Sequence, residues 1–272
     1  MHAASRDALG RAISQLEGML GRSSKPVVDA AECGIELFDC VGVLDSDRAL
    51  RVAVAEASTS GPQRAQLVRD VFEPHVSAST LSVLVQVASD VWSTPKELRT
   101  GLVELGRRSL LHAAKLEGQL ERVEGELYQL SRILEREGRL TQLLIDRTAT
   151  PRAKRSLLAS VLYGKVSAIT EALALQAVAR PQEGPIEDIA RLSELAAAIR
   201  GMKVARVTAA APLTDEQQRT LSEQLGRIYG EKMVIHTEVD TSLLGGMVIR
   251  VGDEIIDGST AGKLARLRAA MA

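Results

Sequence analysis

The sequence predicts a mainly α fold, with two tandem six-helix-type bundles followed by a small α/β domain of order β-α-β-β-β-α. Three observations predict it. Apolar residues recur at helical spacing as far as Gly201, and beyond it the pattern turns into short β-branched runs. The helical part matches itself without a gap when displaced by ninety residues. Aromatic residues make up 2% of the 272-residue chain while hydrophobic residues make up 45%, so the core is built from Leu, Val, Ile and Ala, which suits helix packing.

Taken in order, the opening stretch MHAASRDALGRAISQLEGML is an amphipathic helix pattern without the apolar centre of a secretory signal. Cys33 and Cys40 lie two helical turns apart, about 10.5 Å of rise, which is too far for a disulfide. Both read as reduced and buried, as in a cytosolic compartment. The internal repeat places Phe38 on Tyr128, Glu36 and Leu37 on Glu126 and Leu127, and Leu44 on Leu134. Its firmest block is Val76-Ser77-Ala78-x-Thr80, which falls on Val166-Ser167-Ala168-x-Thr170. Each copy holds about six helical segments, in the second copy near 105–117, 119–136, 138–146, 150–162, 167–179 and 185–200. Leu120, Val123, Leu127, Leu130 and Leu134 form an apolar stripe on the second of these. Thr94-Pro95 and Thr150-Pro151 put a capping hydroxyl ahead of a proline in the first helical turn, and Ser167 precedes another helix. Between the copies, 94–117 has no strong breaker. Gly101 and Gly106 weaken it without stopping it, so one long helix is expected to close the first bundle and open the second. The expected divisions are 1–104, 105–201 and 202–272.

In the last part, KVARVTAAA reads as a strand. Thr214 and Gln217 then form a capping-box pattern that opens a helix ended by Gly230. KMVIHTEVD is the second strand. MVIRV and EIIDG follow, separated only by Gly252-Asp253, a hairpin signal. Ser259 or Thr260 caps a closing helix, AGKLARLRAAM.

Formal net charge is −1, from 34 Lys and Arg against 35 Asp and Glu. There is neither the basic face nor the aromatic platform of a nucleic-acid binder. No apolar run approaches the roughly 20 residues needed to span a bilayer. His2, His75, His112 and His236 are scattered outside any metal-ligand spacing. The sequence lacks a GxxxxGK[ST] loop, so direct nucleotide binding is not expected, and it lacks a GxSxG elbow. The expected catalytic, cofactor-binding and metal residues are therefore none.

The segments AAPLTDEQQ at 210–218, IYG at 228–230 and LLGGMVIRVGDEIIDGS at 243–259, followed by a basic helix, resemble the delta subunits of bacterial F-type ATP synthases. These are the equivalent of the mitochondrial oligomycin-sensitivity-conferring protein. The resemblance covers 105–272 and rests on Gly245, Gly246, Gly252, Asp253, Asp257 and Gly258 together, with Ser259 behind them. These residues meet turn and capping requirements and read as structural. Residues 1–104 add a second copy of the bundle, as in the enlarged actinobacterial type. The resemblance implies a non-catalytic stator subunit without cofactor, held at the cytoplasmic face of the cell membrane by its partners. It further implies that the second bundle holds the N-terminal segment of an alpha subunit in a groove, with helix-in-groove recognition. Charge placed on the stripe of that bundle is then expected to disturb coupling. The C-terminal domain is implied to grip the b stalk. Lys263, Leu264, Arg266, Leu267 and Arg268 read first as favourable charges and apolar residues of the last helix and second as its contact surface. The alternative is a free-standing helical adaptor. A small-molecule enzyme is disfavoured by the absence of convergent polar residues.

Overall fold

The helical part divides into eleven helices. The computed structural model describes residues 1–271, with side chains described as far as Arg268. The helices are α1 (Ala3–Leu20), α2 (Pro26–Ser46), α3 (Arg48–Ala55), α4 (Gly61–Phe72), α5 (Ala78–Ser89), α6 (Pro95–Leu116), α7 (Leu120–Arg136), α8 (Gly138–Ile145), α9 (Pro151–Leu162), α10 (Ala168–Ala179) and α11 (Pro185–Ile199). Of these, α2, α4, α5, α6, α9, α10 and α11 open on a proline in the first turn or a hydroxyl cap. The expected caps form. The hydroxyls of Thr94, Thr150 and Ser167 accept the backbone N–H of Glu97, Ala153 and Thr170 at 3.1, 3.2 and 3.2 Å.

The repeat appears directly in the helix limits. The ends of α3, α4 and α5 recur ninety residues on as those of α8, α9 and α10. It also recurs in tertiary contacts. The Glu36 carboxylate accepts the Ser77 backbone N–H at 3.0 Å, and the Glu126 carboxylate accepts that of Ser167 at 2.9 Å. In each copy a glutamate on the second helix thus caps the start of the fifth, a favourable place for negative charge. Burial pushes the Glu126 carboxyl up, but hydrogen bonds from Thr170, Ser167 and Arg122 outweigh it and hold the group below its ordinary value.

The two copies share one helix. α6 begins ninety residues before α11 and packs across α2 as α11 packs across α7. Displaced by ninety residues, α1 falls on 93–110, so α6 also takes the place of the first helix of the second copy. Residue 104, the expected division between the copies, lies inside this unbroken helix. A single hydrophobic cluster runs from Ala8 to Ala196 through both copies. Gly101 and Gly106, which look like weak points, are packing points. A Cβ at Gly106 would lie 2.6 Å from the Phe38 ring, one at Gly34 would lie 2.7 Å from Leu110, and one at Gly101 would strike the Trp92 ring. Glycine lets α2 and α6 approach closely here, which outweighs its low helix propensity.

The C-terminal part comprises β1 (Met202–Ala209), α12 (Asp215–Tyr229), β2 (Lys232–Val239), β3 (Met247–Val251), β4 (Glu254–Asp257) and α13 (Thr260–Met271), in the predicted order. The sheet order is β2-β1-β3-β4. β1 and β2 are parallel, and the other two pairs are antiparallel. Alternation along the strands separates two faces. Ala205, Val207, Met233, Ile249 and Val251 form a second small core with Leu225 of α12. The other face, with His236, Glu238 and Arg206, turns to α7 and α11. There the Glu124 carboxylate meets His236 Nε2 at 3.0 Å, and Arg132 meets Glu238 at 3.0 Å.

Candidate docking surfaces

The turn residues of the C-terminal part gather at the two ends of the β3–β4 hairpin. Gly252 opens the β3–β4 hairpin with φ +58, a left-handed value that only glycine adopts without strain. Asp253, beside it, completes the two-residue turn between the paired Val251 and Glu254. Gly246 has φ +74, and a Cβ there would strike the Gly258 carbonyl. Gly245 accepts the Thr260 N–H at 2.9 Å, and Gly258 donates to the Met247 carbonyl at 3.0 Å. The loop before β3 is thus pressed against the turn after β4.

Asp257 and Ser259 finish that turn. Asp257 Oδ1 accepts the Ser259 hydroxyl at 2.7 Å and its backbone N–H at 2.9 Å, and Ser259 Oγ accepts the Gly262 N–H at 3.0 Å. These Ser259 hydrogen bonds, hydroxyl first, hold the Asp257 carboxyl below its ordinary value. Ser259 is the cap, and α13 starts at Thr260. The set fixes the direction in which α13 leaves the sheet.

α13 packs chiefly against the short turn Thr241–Leu243, and among the described residues none of its side chains joins the small core. Leu264 is 41% and Leu267 60% exposed, and Lys263, Arg266 and Arg268 are exposed beside them. Arg266 reaches Asp257 at 3.6 Å, whereas Lys263 and Arg268 form no ion pair among the described residues. Nearby in the chain, Leu244 is exposed and holds φ +61, a strained value for leucine. Ile255 and Ile256 are exposed on β4, an edge strand with one unpaired side.

A second open surface lies between the two copies. A groove of about 810 Å³ runs between α2 and the pair α9–α10 and continues into a cleft of about 310 Å³. Gly42, Arg155, Leu175 and Arg180 line both. The stripe Leu120, Val123, Leu127, Leu130 and Leu134 does not contribute to it. All five residues are buried in the helical core, so charge there disrupts packing and does not report on a docking groove.

The remaining polar features are structural. A charged cleft of about 600 Å³ separates α7 and α11 from the sheet and is bridged by Arg132–Glu238 and Arg206–Glu194. Arg107 is buried and bonded to Gln176 at 3.0 Å, and burial lowers its pKa. Cys33 and Cys40 are free and buried, and burial pushes the Cys40 thiol up to about 12, far from a reactive thiolate. Among the described residues there is no cluster able to hold a metal ion, and no helix is long and apolar enough to cross a membrane.

The sequence profile of the family described as ATP synthase delta (OSCP) subunit matches residues 108–271. ATP synthase subunit delta of Corynebacterium efficiens is 58% identical over 272 residues, covering 100% of this chain and 99% of that one. Its counterpart in Corynebacterium diphtheriae is 57% identical over 273 residues, covering 100% of both. These relatives therefore span the additional N-terminal bundle too. A chain in a cryo-EM structure of the Toxoplasma gondii mitochondrial ATP synthase hexamer overlaps 61% of this chain and 94% of its own length, with a TM-score of 0.35 and 20% identity.

Proposed function

The chain belongs to the ATP synthase delta (OSCP) subunit family, as a structural component of the peripheral stalk and not a catalytic one, and from this we propose how it makes its contacts. The second bundle holds the amphipathic N-terminal segment of an alpha subunit. The C-terminal part grips the b stalk through α13. The catalytic head is thereby tied to the membrane-anchored stator and cannot turn with the rotor. The subunit acts at the cytoplasmic face of the membrane, kept there by its partners. In this reading the chain works as three parts, 1–104, 105–201 and 202–272, the first stiffening the second through α6.

The observation that carries the stalk contact is α13. It is a helix with basic and aliphatic side chains that is held by its cap and leaves Leu264 and Leu267 facing water. A helix that buries so little in its own chain gains its packing from a partner. The turn residues Gly245, Gly246, Asp257, Gly258 and Ser259 aim it, Gly252 and Asp253 close the hairpin at its far end, and Lys263, Arg266 and Arg268 supply charge for an acidic stalk end.

The test is a pull-down of purified alpha and b subunits by the full chain. Both are expected to be retained, and retention of b is expected to fall when Leu264 and Leu267 are changed to Asp. A chain that retains neither subunit is a free-standing adaptor, and the stator contacts proposed here are then wrong.

A further inference from the structure

We propose that the groove between α2 and α9–α10 is a docking site for an acidic amphipathic helix. This rests on the reading that the second bundle holds a partner segment, and it names the place and the chemistry of that hold.

The groove is a product of duplication. One wall is α2 of the first copy and the other is α9 and α10 of the second, so a single bundle does not contain it. Its floor is apolar and small, with Gly42, Ala159, Leu175 and Ala179, which leaves room for the side chains of an incoming helix. Ile35, at the α2 rim of the adjoining cleft, is 51% exposed. The groove is concave and between helices, the setting for helix-in-groove recognition.

The charge of the occupant follows from the rim. Arg152 and Arg155 line the groove, are exposed, and form no ion pair among the described residues. Of the acidic residues that line the groove and its cleft, Asp45 is already held by Arg99 and by Arg180 at 3.0 Å, which leaves the exposed Asp39 of the cleft against these two arginines, Arg152 and Arg155. α9 opens into the groove at Thr150-Pro151, and the positive end of its dipole adds to the same field. In the first copy, Pro62 and Ala65 stand where the second has Arg152 and Arg155, so the basic rim belongs to the composite groove and not to the repeat. An apolar stripe flanked by carboxylates complements this surface. A flat anionic membrane does not reach its floor.

The test measures fluorescence anisotropy with the full chain and two labelled helical peptides of about eighteen residues, roughly 27 Å long. One carries leucines on one face and glutamates at both edges, and in the other lysines replace the glutamates. Vesicles of phosphatidylglycerol form a third arm. The glutamate peptide is expected to bind at least tenfold more tightly than the lysine peptide. Arg152→Glu combined with Arg155→Glu should weaken it at least tenfold. Ala159→Trp, which fills the floor and keeps the charge, should do the same. The two variants change only positions that are exposed, Arg152 and Arg155, or partly exposed, Ala159, so circular dichroism should be unchanged. Failure of the glutamate peptide to bind, equal binding of the two peptides, or binding unmoved by either variant overturns the proposal. So does vesicle binding that is abolished by the charge change and indifferent to Ala159→Trp. Retention of the alpha subunit by these variants in the pull-down reports separately on the broader reading.

Discussion

Glu124 on α7 and His236 on β2 stand 3.0 Å apart, carboxylate oxygen to Nε2, with 2% and 8% of their surfaces exposed. Arg200, just past α11, binds the other oxygen of the same carboxylate. The ring of Tyr128 lies 3.8 Å from that of His236, centroid to centroid. Three segments that are far apart in sequence thus meet on one buried carboxylate, between the helical part and the sheet. Removing Glu124 leaves His236 buried without its charged partner and Arg200 with Glu121 alone, which costs more than the set contributes when complete.

Glu124→Ala is therefore expected to destabilise the protein by about 3 kcal/mol in urea unfolding. Adding His236→Ala should cost less than the sum of the single changes, because the lost partner is shared. Full additivity would show that the contact carries no coupling.

Gly106→Ala and Gly125→Ala should have opposite signs although both glycines are helical. The new methyl at Gly106 meets the Phe38 ring, whereas nothing lies within 4 Å at Gly125. Overpacking is expected to cost about 1–3 kcal/mol at the first. At the second, better helix propensity should add about 0.5–1 kcal/mol. Thermal unfolding of the two variants reads the difference. Amide exchange should also find the 101–106 stretch of α6 as protected as its ends, and rapid exchange there would contradict a continuous helix.

The attachment of α1 to α6 should weaken with acid. Loss of water pushes the Glu97 carboxyl up, but hydrogen bonds from the Ser5 hydroxyl at 2.8 Å and from His2 outweigh it, lowering it from 4.5 to about 2. A carboxyl lowered by folding stabilises the folded state fully above its ordinary pKa and loses that contribution as pH falls through the folded value. The window is pH 4.5 down to about 2. The stability of Glu97→Gln should fall less steeply with pH across it than that of the unchanged chain. Parallel curves would dismiss the link.

Truncation before Ser259 should weaken retention of the b subunit and leave the helical part intact, since among the described residues α13 contributes no side chain to either hydrophobic cluster. Ala272, part of that deletion, lies outside the described residues. The measurements are the melting temperature and co-purification with b. Undiminished co-purification would place the stalk contact elsewhere.

Local chemistry was readable without coordinates. A threonine before proline, or Thr214 with Gln217, meets its partner within one turn, and both hydrogen bonds of that capping box form. The repeat was readable because Val-Ser-Ala-x-Thr and the glutamate that caps it kept their spacing. What was hidden depends on distance along the chain. Glu124 and His236 are separated by 112 residues, and neither has a local pattern. The repeat did hold one signal for them, since Glu124 occupies the place of Gly34 in the first copy. There the glycine lets α2 lie against α6, while here the carboxylate reaches the sheet. The leucine stripe of α7 was open to misreading for the same reason. Periodicity identifies an apolar face without saying whether its own bundle or a partner covers it. The groove between the copies was beyond reach, because Gly42 and Arg155 share a surface only after both bundles are assembled around α6.

That sharing has a geometric consequence. An α-helix turns by about 100° and advances about 1.5 Å for each residue. The angular phase between the two bundles is therefore stored in α6 as a count of residues. One amino acid gained or lost between Gly101 and Gly106 would swing one bundle past the other by more than a quarter turn and part the walls of the groove, whereas loops elsewhere absorb such a change. The paired bundles resemble a crank cut from one rod, whose setting changes only in steps of about 100°.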